Sequence, residues 1–120
     1  MPLLFIEYPK CTTCQKAKKW LEAQGVEFQS RHILEENPTR EELAAWAERL
    51  PLKRLWNTSG QKYRQLGLSQ KLPEMTKEEQ LALLATDGML VKRPVLVGEG
   101  FVLTGFKEGE WAAALAGEAR

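Results

Sequence analysis

Cys11 and Cys14 are the only cysteines in the chain, spaced as Cys11-Thr12-Thr13-Cys14. Thiols at that spacing at a helix start can close into a disulfide within one helical turn. Leu3-Leu4-Phe5-Ile6 reads as a buried strand, and Glu7-Tyr8-Pro9-Lys10 as the loop delivering Cys11 to its C-terminal end; an amphipathic helix follows. The unpaired N–H groups and dipole of a helix N-terminus favour negative charge, and so a thiolate at Cys11. Lys10 before it and Lys16, Lys18 and Lys19 after it add positive potential, while Thr12 and Thr13 offer a helix cap or hydroxyl hydrogen bonds. A tenfold change in ionisation corresponds to about 1.4 kcal/mol, so modest effects of each kind suffice to bring a thiol near neutrality. Cys14, one turn further in, is better shielded and suits a resolving thiol. A static disulfide and a zinc site compete with this reading. The first adds little stability across so short a loop. For the second, His32 is the one further soft ligand. Redox or thiol-transfer work is therefore the expectation, with no bound metal.

The rest of the chain must hold this pair in place. At 120 residues it is expected to be a single domain, 1–120, able to bury a core without staples. A net charge of +1 carries no nucleic-acid footprint. With no signal peptide and no apolar run of membrane length, the expected protein is a cytoplasmic monomer. In a reducing cytosol a Cys-x-x-Cys pair is more often catalytic or sensing than structural.

Apolar periodicity predicts a helix over 12–24 with Cys14, Ala17 and Leu21 inward and Gly25 as its stop. Residues 26–33 alternate as a half-buried strand. Thr39 with Glu42, and Thr76 with Glu79, are capping boxes that start helices. The first of these runs to about Leu50 before Pro51, and another helix is predicted from near Ser59 to Gly67. Pro94-Val95-Leu96-Val97 and Phe101-Val102-Leu103 form a predicted hairpin around Gly98-Glu99-Gly100, and a last helix holds Trp111, Ala112 and Leu115. The order βαβ, helices, ββα is that of an α/β, thioredoxin-like fold with a helical insertion, about 39–88, between its N-terminal βαβ and C-terminal ββα parts. In such folds the position of Pro94 holds a cis-proline facing the cysteine loop. From there Arg93 could reach a thiolate or a bound oxyanion.

Several further segments carry a family resemblance: Lys16 to Leu21 after the cysteines, Asn57-Thr58-Ser59-Gly60 with Tyr63, Leu66-Gly67-Leu68, Leu84 to Leu90, Lys92-Arg93-Pro94 and Gly105-Phe106. Together with the cysteine pair, this ordered set resembles the ArsC/Spx family, including its arsenate reductase-like and Spx/MgsR-like members in bacteria, over almost the whole chain. The resemblance implies a nucleophile at Cys11. It also implies an oxyanion-holding arginine at Arg93, with Asn57 and the vicinity of Gly105 in the places of two further arginines. Spx proteins use a Cys-x-x-Cys switch and bind the C-terminal domain of the RNA polymerase α-subunit. The glycine they use against polymerase corresponds to Pro51 or Leu52.

The expected function is a cytosolic thiol–disulfide oxidoreductase. Cys11 is its nucleophile, Cys14 its resolving thiol and Arg93 the holder of a thiolate or substrate anion; Lys10, Thr12, Thr13, Asn57 and Pro94 complete the substrate contacts. The substrate is a thiol compound or small anion. No cofactor is bound, and glutathione with glutaredoxin, or thioredoxin, is the external reductant. The alternatives are an Spx-like redox-switched regulator binding RNA polymerase and, third, an arsenate reductase. Thr58 and Ser59 can equally be plain helix caps, His32 a packed or solvated histidine, and the four tryptophans core residues.

Overall fold

The computed structural model describes residues 3–118, so the ends of the expected 1–120 domain lie outside the described residues. In chain order the elements are β1 (Leu3–Glu7), α1 (Thr12–Ala23), β2 (Phe28–His32), α2 (Arg40–Ala47), α3 (Gln61–Gln65), α4 (Leu68–Lys71), α5 (Lys77–Leu84), β3 (Val95–Val97), β4 (Val102–Thr104) and α6 (Glu108–Glu118). Short 3-10 turns occupy Leu52–Leu55, Leu72–Glu74 and Gly88–Leu90. Two compact units result, one from the chain up to His32 together with the chain from Arg93 onward, the other Ile33–Lys92.

The first unit is a mixed four-stranded sheet in the order β2-β1-β3-β4. β1 and β2 are parallel, with Leu3 opposite Phe28 and Glu7 opposite His32. Parallel neighbours cannot be joined by a tight turn, so α1 serves as the crossover. β3 pairs antiparallel with β1, Phe5 opposite Leu96, and with β4, Leu96 opposite Leu103. This is the thioredoxin-like βαβ–ββα arrangement expected from the sequence. The hairpin closes through Gly98 N–H donating to Phe101 O at 2.9 Å. A Cβ on Gly98 would lie 2.5 Å from the Phe101 ring, so only glycine leaves room for that ring over the turn.

The core of this unit buries Leu3, Phe5, Ala17, Leu21, Leu96 and Trp111. Cys14, Ala17 and Leu21 form the buried stripe of α1, as their helical spacing predicts. Trp111 meets Phe106 edge-on at 5.0 Å, and its indole N–H donates to Gly105 O at 3.0 Å. That contact satisfies the one polar atom of a fully buried side chain.

The second unit is helical. Both expected capping boxes form: Thr39 Oγ1 accepts from Glu42 N–H and Thr76 Oγ1 from Glu79 N–H, each at 3.1 Å, and the glutamates reach back to the cap N–H groups. α2 stops at Ala47 rather than near Leu50. The helix expected over 59–67 is only Gln61–Gln65. It follows Gly60, whose missing side chain provides no cap, so Thr58 and Ser59 do not cap it. Gly67, at φ +65°, turns the chain directly into α4, an element that lacks the length to show a period. Gly88 packs against the backbone, and a Cβ there would sit 2.3 Å from Ile33 O.

Gly88 and Gly25 separate packing from conformation. Gly25 has φ +69° and open space where a methyl would stand, whereas Gly88 has a carbonyl in the way. Gly88→Ala is expected to lower stability by about 1–3 kcal/mol through overpacking. Gly25→Ala should cost about 1–2 kcal/mol through left-handed strain alone. Urea titration of both variants, with hydrogen exchange to localise the loss to residues around Ile33 or around the end of α1, checks the assignment.

Candidate active site

The N-cap of α1 is a sulfur. Cys11 has extended backbone angles, φ −86° and ψ 118°, and its Sγ accepts the Cys14 N–H at 3.3 Å. Thr12 and Thr13 lie past the cap as exposed helical residues, so neither caps the helix as the sequence allowed. The cap falls on Cys11 because the loop fixes its backbone: Cys11 N–H donates to Tyr8 O at 2.9 Å, and the Gln15 side-chain amide donates to Pro9 O at 2.8 Å. Cys11 is partly exposed and Cys14 fully buried. The two cysteines are free and approach to 3.1 Å.

Burial is the main force pushing the Cys14 thiol from 9.0 up to about 12; the hydrogen bond and charge of Cys11 push the same way, and a hydrogen bond with the Tyr8 backbone and the charge of Arg93 oppose them. Cys14 therefore keeps its proton at neutral pH.

Arg93 precedes β3 and is joined to Pro94 by a cis peptide bond. Its guanidinium carbon lies 5.2 Å from the centre of the Tyr8 ring, a cation–π distance. Its Nε and Nη1 are buried and donate to no acceptor among the described residues. Tyr8 in turn meets His32 edge-on at 6.0 Å. The histidine is thus half-buried and packed in an aromatic contact at the end of β2.

The positive potential around the loop is smaller than the lysine count suggests. Lys18 is paired with the buried Glu7 at 3.0 Å, so its charge is neutralised locally. Lys10 is exposed. Asn57 belongs to the second unit, where its backbone N–H donates to Leu90 O at 2.9 Å and its side-chain amide to Met89 O at 3.4 Å. Among the described residues, no group of three or more His, Cys, Asp or Glu side chains is placed to hold a metal ion. Nor is any helix among them long and apolar enough to cross a membrane.

The first unit thus brings Cys11, Cys14, Arg93 and Pro94 into one neighbourhood with Tyr8. The family model for the ArsC family matches residues 6–114. The chain belongs to the ArsC family. Among ArsC-family relatives, the uncharacterized protein YusI of Bacillus subtilis is 53% identical over 113 residues, covering 92% of this chain and 96% of YusI. The regulatory protein MgsR of the same organism is 38% identical over 110 residues, covering 90% of this chain and 86% of MgsR. The crystal structure of an ArsC-family-related protein from Bacteroides fragilis superposes with a TM-score of 0.91 at 57% identity, covering 94% of this chain and 97% of that one.

Tyr8 is the residue of this neighbourhood that sequence reasoning passed over. Its only signal was its place in the loop three positions before Cys11. The ring contact with Arg93 joins residues far apart in the chain and is visible only in the fold.

The buried Cys14 thiol contributes to the alkaline stability of the fold. Between about pH 9 and pH 12 the folded chain holds a proton that the unfolded chain has released, so this group's contribution to stability falls as pH rises through that window. Below pH 9 it contributes no slope. Wild type is expected to lose stability more steeply than Cys14→Ala from pH 9 upward in urea titrations. Parallel curves for the two proteins would contradict the buried, protonated thiol.

Proposed function

We propose that the chain is a thiol–disulfide oxidoreductase in which Cys11 is the nucleophile and Cys14 the resolving thiol. The observation that carries the reading is the approach of two free cysteines to 3.1 Å at a sulfur-capped helix N-terminus. The Cys11 thiolate attacks one sulfur of a substrate disulfide, forming a Cys11–substrate disulfide and releasing the other sulfur as a thiolate. Cys14 then gives up its proton and attacks the Cys11 sulfur. The bond to the substrate breaks, a second thiolate leaves, and the Cys11–Cys14 disulfide remains. Two electrons have passed to the substrate. Glutathione with glutaredoxin, or thioredoxin, then reduces the Cys11–Cys14 disulfide by the same kind of exchange, restoring both thiols and leaving as the oxidised disulfide.

The shielding of Cys14 suits this order of events. While Cys11 is a free thiolate, burial and the neighbouring negative charge keep Cys14 protonated. Once Cys11 is tied up in a mixed disulfide, that charge is gone, and the charge of Arg93 still favours ionisation. The buried, unpartnered Nε and Nη1 of Arg93 suit an anionic group on the substrate, such as a carboxylate of an S-glutathionylated thiol or a small oxyanion. Pro94 lies next to it, and Lys10, Thr12 and Thr13 offer exposed contacts around Cys11.

Arsenate is the weaker substrate. By the family resemblance, Asn57 takes the place of one of the family's other oxyanion-holding arginines and the third falls near Gly105, where Lys107 is the basic residue close by in sequence. Bidentate guanidinium contacts have no substitute in asparagine or in the nearby Lys107. A second reading is favoured by the 38% identity with a regulatory protein: the same disulfide would switch binding to the C-terminal domain of the RNA polymerase α-subunit.

A glutathione- or thioredoxin-coupled assay on a small disulfide separates these readings. Cys11→Ser should fall below about a hundredth of wild-type turnover. Cys14→Ser should complete one attack and stall as a mixed disulfide detectable by mass spectrometry. No turnover in wild type, with capture of the polymerase domain by only one redox form, would favour the regulator instead.

A further inference from the structure

Arg93 presents a physical problem. Two of its nitrogens, Nε and Nη1, are buried and make no hydrogen bond among the described residues. Arg93 is half-buried, so the position of its charge depends on contacts other than an ion pair. The contact the structure provides is the face of Tyr8, 5.2 Å from the guanidinium carbon. Tyr8 also holds the cysteine loop, since its carbonyl accepts the Cys11 N–H at 2.9 Å. Its ring is steadied in turn by the edge-on contact with His32 at 6.0 Å. One residue therefore ties the guanidinium and the cysteines to a common frame.

We infer that Tyr8 is a positioning residue, whose ring face holds the Arg93 guanidinium beside the Cys11–Cys14 loop while leaving Nε and Nη1 free for a substrate anion. A π-face attracts a cation without consuming its N–H donors, which a carboxylate partner would do. The hydroxyl plays no part in that contact, so phenylalanine can replace tyrosine. The inference rests on the reading that Cys11 is the reacting thiol.

Alkylation of Cys11 by two reagents of different charge tests it without any knowledge of the natural substrate. In the full chain carrying Cys14→Ser, so that one thiol remains, the rate with anionic iodoacetate is divided by the rate with neutral iodoacetamide. A general change in thiol reactivity or local packing moves both rates together, while displacement of Arg93 lowers only the anionic one. Tyr8→Phe should keep the parent ratio. Tyr8→Leu should lower it about fivefold, the scale of a partly desolvated cation–π contact. Arg93→Gln should lower it at least as far, and adding Tyr8→Leu to Arg93→Gln should lower it no further, because the tyrosine acts through the arginine. Tyr8→Met, closer to tyrosine in length, repeats the measurement should circular dichroism show the leucine variant unfolded.

The inference is overturned if the leucine and methionine variants keep the parent ratio, if phenylalanine falls as far as they do, or if the double variant falls below Arg93→Gln alone. An unchanged ratio in Arg93→Gln overturns it as well. The expected pattern of ratios without coupled turnover in wild type would sink the oxidoreductase reading and leave the role of Tyr8 standing.

Discussion

Parallel pairing of β1 with β2 is the constraint on which the site depends. Strands that run side by side in the same direction need a crossover, and the crossover must leave from the C-terminal end of β1. That end is where Glu7 and Tyr8 turn the chain and where α1 begins. The helix N-terminus, with its unpaired N–H groups, is thereby set at the end of the sheet that also receives Arg93 and Pro94 before β3. The apolar stripe of α1, Cys14, Ala17 and Leu21, then fixes the rotation of the helix. Cys14 is buried because it belongs to that stripe, and Cys11 is accessible because it precedes it.

The sulfur cap gives this arrangement its chemical asymmetry. An ordinary N-cap is a hydroxyl or carboxylate, chosen for its acceptor strength. Here the acceptor is the Cys11 sulfur itself, so the helix N–H that would otherwise need a partner is directed at the atom proposed to react. The same geometry holds the second sulfur close at hand, in a setting that keeps its proton. The two cysteines thus differ in exposure through their depth in one helical turn. In the proposed thiol cycle that difference sets the order in which the two sulfurs act.

Much of this was legible from local chemistry. The strand–cysteine–helix opening, both Thr–x–x–Glu capping boxes, the hairpin around Gly98-Glu99-Gly100 and the special status of Pro94 each depend on residues within a few positions of one another. The misreadings came where local signals were ambiguous. At the start of α1 the sequence placed Cys11 at or next to the N-cap and left Thr12 and Thr13 as further caps by type; the structure gives the cap to Cys11. Thr58 and Ser59 are likewise good caps, but the chain around Asn57 is tied to Met89 and Leu90, and the helix starts only after Gly60. Elements as short as α4 have no period to read.

By itself the sequence determined the α/β order of elements, the cysteine pair at a helix start and the identity of the arginine before the proline, because these follow from residue type, spacing and short-range sterics. Only the tertiary structure decided that Lys18 is neutralised by Glu7, that Cys14 is deep enough to hold its proton, and that the Tyr8 ring carries Arg93. Those facts depend on distances between residues remote in the chain and on exclusion of water, and neither exists until the sheet and helices have packed.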